Sequence, residues 1–282
     1  DIAVMQSLSR QGEVDPMVES YGQVIVDECH HVGAASFDAI LRRAKAKHVV
    51  GLTATPIRRD GQQPIIFMQC GPIRHKAAQP LDAPRDLAVT QQFIESPIAL
   101  LPEAGIQDKF RHLAQDTART AAIASAITDA FRQGCKVLAL TERTEHIDAI
   151  RAALADHVPE PFVLHGRMSK KQRAALIAAI DALSPDAPRL LLATGKLVGE
   201  GFDHPPLDTL VLAMPVSWKG TLAQYAGRLH REHASKTDVR IIDFVDTGHP
   251  ALLRMWDKRQ RGYRAMGYRV DSGVPSVGSL EG

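Results

Sequence analysis

Two adjacent carboxylates, Asp27 and Glu28, follow directly on the β-forming run Val24-Ile25-Val26. Charge is costly inside a buried strand, so the pair marks where that strand ends. In open α/β sheets ligands bind outside the carboxyl ends of the strands. Two carboxylates at such an end suit a hydrated divalent cation, because magnesium keeps several waters and takes one or two carboxylates together with phosphate oxygens. The second acid can then orient or deprotonate an attacking water. A transition-metal set of Asp27, Cys29, His30 and His31 fits less well, since alternate strand side chains point to opposite faces and the four do not converge. The plain alternative is a charged strand end facing solvent, and other groups must decide against it.

Three more stretches carry chemistry-bearing residues. In "GLTATPIRRDG" (51–61), Thr53 and Thr55 flank Ala54 at a second strand end that Pro56 stops. Alone this is an ordinary threonine turn. In "ATGKLVGEGFDHPPLD" (193–208), Gly195, Gly199 and Gly201 permit close backbone approach to a ligand. Its Thr-Gly-Lys is not a phosphate-binding loop, lacking the upstream glycine and the Ser or Thr after Lys196. In "QYAGRLHRE" (224–232), Gln224, Arg228 and Arg231 stand at i, i+4 and i+7 on one helix face, with Gly227 leaving room beside them. Two arginines on one stripe repel unless an anion lies between them. A triphosphate is a suitable anion, and arginine is the usual donor to transition-state charge.

The elements that must position these groups alternate between the two periods. Strands are expected at 1–5, 24–28, 48–53, 65–70 and 87–94, with a helix over 36–46. Residues 71–86 are rich in Pro and basic groups without a period and read as a connector. Further strands are expected at 136–141, 161–166, 189–194, 209–214 and 239–245. The helices among them fall in "DTARTAAIASAITDAFRQG", "TEHIDAIRAALAD", "SKKQRAALIAAIDAL" and "TLAQYAGRLHRE", with Gly134 as a C-terminal cap. The alternation argues for α/β with largely parallel sheets, in two domains. The chain has 282 residues, 45% hydrophobic and 23% charged, with net charge +2. That composition describes a globular protein, and it permits a nucleic-acid partner without arguing for one. Three cysteines with no paired spacing argue against a disulfide framework or zinc ribbon and fit a reducing cytoplasm. No apolar run reaches membrane-spanning length.

The order of the four stretches decides among the readings. An acid box "DECHH", then "TAT", then a Gly-rich G-E-G-x-D loop, then Q-x-x-G-R-x-x-R resembles the superfamily 2 helicases and translocases. The resemblance covers residues 1 to about 245. "DECHH", "GLTATPIRRDG" and "CGPIR" are most like the DExH branch of DNA-repair helicases and type III restriction motors. It implies two RecA-like domains in tandem with ATP in the cleft between them, spanning 1–95 and 96–247, followed by a C-terminal helix and tail over 248–282. It implies Asp27 holding Mg²⁺ through water, Glu28 activating the attacking water, and His30, Thr53 and Thr55 coupling nucleotide state to closure. Arg228 and Arg231 would reach the γ-phosphate with Gln224 beside them, and Gly201 and Asp203 would line the nucleotide. Nucleic acid, DNA ahead of RNA, would run near Gln6, Ser7, Thr141, Arg143, Gly166, Arg167 and Thr194. Partner subunits of a repair or restriction system are implied, and no membrane.

The family's phosphate-binding G-x-x-x-x-G-K-[ST] loop does not occur in these residues. The first domain is therefore expected to be truncated at its N-terminus, and the chain to leave ATP unhydrolysed by itself. The alternative is a non-catalytic nucleic-acid-binding or interaction module descended from such a motor. The tail from His249 is expected to pack Leu252, Leu253, Met255, Trp256 and Tyr263 on the second domain, with a nucleic-acid role for Lys258, Arg259 and Arg261 as the lesser option.

Overall fold

The computed structural model describes residues 1–10, 12–29, 35–53, 63–76, 86–95, 104–195, 202–216, 219–230, 233, 236 and 238–270. The chain forms two compact units, 1–79 and 80–282.

The first unit opens on a 3₁₀ turn, Met5–Ser7, where the sequence suggested a strand. A short antiparallel pair follows, β1 (Ser9–Arg10) and β2 (Glu13–Val14). Its main feature is a two-stranded parallel sheet of β3 (Gln23–Val26) and β4 (His48–Gly51), joined by α1 (Ala35–Arg43). The second helix, α2 (Gln63–Cys70), occupies the stretch expected as a strand over 65–70. An apolar run of that length fits either period, and tertiary packing chose. Pro64 sits in the first turn, where its missing N–H costs nothing. Ile66 is buried with Val26, Cys29 and Leu41, and Ile65 and Cys70 pack against them.

The second unit is built on a seven-stranded, all-parallel sheet. Its strands are β5 (Asp86–Ile94), β6 (Lys136–Thr141), β7 (Phe162–Leu164), β8 (Arg189–Thr194), β9 (Thr209–Leu212), β10 (Asp238–Asp246) and β11 (Arg269–Val270), in the order β11-β5-β10-β9-β6-β8-β7. The helices are α3 (Ile106–Gln115), α4 (Thr117–Arg132), α5 (Thr144–Leu154), α6 (Lys170–Asp181), α7 (Lys219–Leu229) and α8 (Pro250–Ala265). β6 and β8 are buried along their length up to the last residue of β8, so they read as continuous apolar runs rather than alternating ones. Their alternate residues nonetheless face different helices. Val137 and Ala139 pack with Ile123 and Ile127 of α4 and Ile147 and Ile150 of α5. Leu138 and Leu140 pack with Ile180 of α6, Leu222 and Leu229 of α7, and Trp256 of α8. Gly134, at φ +84°, closes α4 as expected.

Two expectations change here. β5, taken by sequence as the end of the first domain, pairs along its full length with β10 and belongs to the second unit's sheet. The break therefore falls ahead of it, and the boundary at 95 moves back. The C-terminal helix α8 is part of the same unit: Leu252, Met255, Trp256 and Tyr263 are buried as expected, whereas Leu253 is exposed. Arg259 is not available to nucleic acid. It is 2% exposed and makes a two-pronged ion pair with Asp243 of β10, Nε to Oδ2 at 2.7 Å and Nη2 to Oδ1 at 3.0 Å. Tyr263 donates to the same carboxylate at 2.6 Å.

Candidate functional site

In the first unit, Asp27 and Glu28 form the turn that leaves the carboxyl end of β3. Asp27 is exposed, and its Oδ1 accepts the Glu28 backbone N–H at 2.8 Å. The exposure of this carboxylate suits a water-mediated cation. Glu28 is half-buried and has φ +48°, a left-handed conformation that costs a non-glycine residue about 1–2 kcal/mol. Such strain is held only where the surroundings over-determine it. Here the backbone does so: Leu52 N–H donates to Val26 O at 2.8 Å, and Cys29 N–H donates to Leu52 O at 2.9 Å. These bonds continue the ladder past the ends of β3 and β4 and hold Leu52, the residue before Thr53, against the residues that flank the acid pair. Cys29 is buried, and burial together with Cys70 pushes its thiol up to about 11. Gln6 and Ser7 are exposed on the opening 3₁₀ turn, with the Ser7 hydroxyl donating to Val4 O at 2.6 Å. His30 and Thr55 lie outside the described residues.

In the second unit, the sheet order gathers three of the sequence stretches. β6, β8 and β7 are consecutive neighbours, so the residues after their carboxyl ends share one edge. Thr141 and Thr194 are register partners at the ends of β6 and β8. Gly166 and Arg167 are exposed in the turn that follows β7, and Arg143, half-buried, leads into α5. Thr141 is not poised for a ligand through its hydroxyl. It is buried, and its Oγ1 is hydrogen-bonded to Nδ1 of the fully buried His146 at 2.9 Å. Burial, then the nearby Arg119 guanidinium, lowers His146 to about 3, so the ring is neutral.

Helix α7 buries Leu222, Tyr225, Ala226 and Leu229. Gln224 and Arg228, one turn apart, lie together on its half-buried side with Gly227. Asp203 is exposed. Gly201 and Arg231 lie outside the described residues. Among the described residues no group of histidine, cysteine and acid side chains could by itself hold a metal ion, so a cation here would lean on phosphate oxygens and water.

The sequence reading missed two things. One is the buried ion pair of Arg119 with Asp246, Nε to Oδ1 at 2.7 Å, with Nη1 donating to Ala213 O at 2.7 Å; this ties α4 to β10 and the end of β9. The other is the Tyr225 hydroxyl bound to the Glu142 carboxylate. Neither has a local signature, since each joins residues brought together only by the sheet order.

The parallel sheets with helices packed on them fit a RecA-like architecture, and comparisons with known proteins agree. Residues 2–58 match the type III restriction enzyme res subunit family, and residues 119–233 match the helicase conserved C-terminal domain. The chain belongs to the superfamily 2 helicases. It is 24% identical over 285 residues to the protein of Acanthamoeba polyphaga mimivirus named "Putative ATP-dependent RNA helicase L396", covering 95% of this chain and 52% of that one. It is 26% identical over 259 residues to the protein of Escherichia phage T5 named "Probable helicase D10", covering 90% of this chain and 55% of that one. The chain thus spans about half the length of these curated relatives. Among solved structures, the DNA-bound type ISP restriction-modification enzyme LlaBIII superposes with a TM-score of 0.60 at 16% identity, over 86% of this chain and 20% of that one. No helix among the described residues is long and apolar enough to cross a membrane.

Proposed function

We propose that the protein is part of an ATP-dependent motor that moves on nucleic acid, with DNA as its track ahead of RNA. The observation that carries this reading is the acid pair at the carboxyl end of a parallel strand, with Leu52, the residue before Thr53, fastened to the residues on either side of the pair by two backbone hydrogen bonds. Asp27 would hold Mg²⁺ through water, and the ion would neutralise phosphate charge. Glu28 would take the proton of the attacking water, and His30, Thr53 and Thr55 would report the state of the nucleotide. Gln224, Arg228 and Arg231 of the second unit would act on the same nucleotide, with Gly201 and Asp203 beside it. The shared edge carrying Arg143, Gly166, Arg167 and Thr194 would take the nucleic-acid backbone, as would Gln6 and Ser7 of the first unit, through sequence-tolerant contacts. Because the Thr141 side chain is turned inward, it would support that edge rather than touch the strand. A repair or restriction system is the setting proposed, the restriction-enzyme family match supporting the latter, and its subunits are the partners proposed.

Without a Walker-type loop in residues 1–282, tight ATP binding is a property proposed for the full gene product rather than for these residues alone. A second reading, a motor-derived binding module, is favoured by that same missing loop. Hydrolysis of ATP by the full-length gene product, stimulated by single-stranded DNA and lost in Glu28→Gln, separates the two. A product that binds DNA but never hydrolyses ATP supports the module.

A further inference from the structure

Three stretches that sequence reading treated separately meet at one hydrogen bond. Glu142 follows Thr141 at the carboxyl end of β6 and precedes Arg143. Gly195 follows Thr194 at the end of β8. Tyr225 lies on α7 between Gln224 and the turn that carries Arg228. The Tyr225 ring is 3% exposed within the core, and its hydroxyl reaches out to the carboxylate of Glu142, a residue exposed at the sheet edge. Gly195 lies directly over this bond. A Cβ there would fall 1.9 Å from the Tyr225 hydroxyl and 3.0 Å from Glu142 Oε1, so only glycine lets the two meet. Burial pushes the tyrosine far above its ordinary range, with Glu142 adding to the effect, and the hydroxyl stays a donor at any physiological pH. The other buried side chains of α7, Leu222, Ala226 and Leu229, are apolar and pack in the core without a hydrogen-bonding group of their own. Among these four buried side chains, the Tyr225 hydroxyl makes the directional contact.

We infer that the Glu142–Tyr225 hydrogen bond, seated under Gly195, is a positioning link. It fixes the rotation of α7 that presents Gln224 and Arg228, and ties it to the strand ends that carry Thr141, Arg143 and Thr194. The inference rests on the proposed function, in which α7 serves the nucleotide and the strand ends serve the nucleic acid. A nucleic-acid backbone arriving at Arg143 and Thr194 would then act on the arginine helix through this bond. Tyr225 and Glu142 touch neither ligand in this account.

The test is steady-state ATP hydrolysis by the full-length gene product with and without single-stranded oligodeoxythymidine, together with oligonucleotide binding by fluorescence anisotropy. Tyr225→Phe keeps the ring and removes only the donor. It should lower DNA-stimulated kcat by roughly 10–100-fold, the cost of a small misplacement of a reacting group, with KM for ATP and oligonucleotide affinity within about threefold. Glu142→Gln keeps an acceptor for the hydroxyl and should stay within about threefold of wild type, whereas Glu142→Leu should fall as Tyr225→Phe does. The double variant Tyr225→Phe/Glu142→Leu should be about as slow as either single one, because both remove the same bond. A Tyr225→Phe protein with normal kcat, or one whose loss matches only a loss of folded protein by thermal melting, overturns the inference. So does equal damage from Glu142→Gln and Glu142→Leu. Wild-type protein without stimulated hydrolysis overturns the proposed function and the inference with it.

Discussion

The two units mount the same kind of chemistry on frames of different completeness. In the second unit seven parallel strands are covered by helices on both faces, and residues such as Leu138, Leu191 and Val211 are fully buried. In the first, two parallel strands carry the acid pair, and the buried cluster around them is Val26, Cys29, Leu41 and Ile66. Nine of the eleven exposed large apolar side chains among the described residues lie in residues 1–79, Ile25 of β3 and Val50 of β4 among them. Only Val24 and Val26 of β3 turn inward, so the sheet has one covered face. A strand end can position a carboxylate only as firmly as its sheet is held. The second unit meets that condition with its own core, while the first relies on a short backbone ladder and two helices.

The largest effect expected from this difference is in native-state amide exchange. Amides of β6, β8 and β10 should be protected at least ~10³-fold more than those of β3 and β4, because opening a two-stranded sheet exposes little buried surface. Comparable protection in the two sheets would break the comparison. A smaller contrast sits in the ion pairs. Arg119→Met leaves Asp246 buried without its partner and should destabilise the second unit by about 3–5 kcal/mol in urea unfolding. Arg43→Ala, which removes the partly exposed 2.8 Å pair with Glu19 in the first unit, should cost under about 1 kcal/mol. A cost for Arg119→Met as small as that of Arg43→Ala would mean that the Arg119 pair is not structural. A graded effect is a slope with pH. His146 is depressed to about 3 in the folded chain, so below the ordinary histidine range the unfolded chain takes a proton that the folded one refuses. Stability of the second unit should fall as pH drops from about 6.5 towards 3, by up to ~1.4 kcal/mol per pH unit from this group. Burial depresses His204 and His230 in the same direction. In His146→Gln the slope of unfolding midpoint against pH should be shallower; an unchanged slope would remove His146 as a contributor.

Much of the second unit was legible because fully buried parallel strands leave a plain signal. The runs "KVLALT" and "RLLLAT" became β6 and β8 with the boundaries their apolar letters suggest. The first unit was harder to read for the same reason that it is less complete. "IIFMQC" is apolar on every side, and neither period could be told from the other until Ile66 packed beneath β4 as part of a helix. "LAVTQQFI" was a strand as expected, but no local letter says which sheet it joins; its pairing with β10, some 150 residues away, decided that. The site divides along the same line. Asp27, Glu28, Gln224 and Arg228 announce themselves by type and spacing within a few residues. Glu142, Tyr225 and Arg119 act through partners far off in sequence, and only the fold reveals them. Arg259 shows the converse: within a basic run it looked solvated, and the structure buries it against Asp243.

The central claim is that Glu28 is the base of an ATP-hydrolysing motor, and one measurement addresses it most directly. Phosphate release by the full-length gene product is followed with saturating single-stranded DNA, for wild type and Glu28→Gln, beside equilibrium binding of Mg·ATP to both. The glutamine keeps the shape of the side chain but cannot take a proton, so release should fall by ~10²–10⁴-fold while ATP affinity stays within a few-fold. Turnover in Glu28→Gln close to that of wild type would contradict the account.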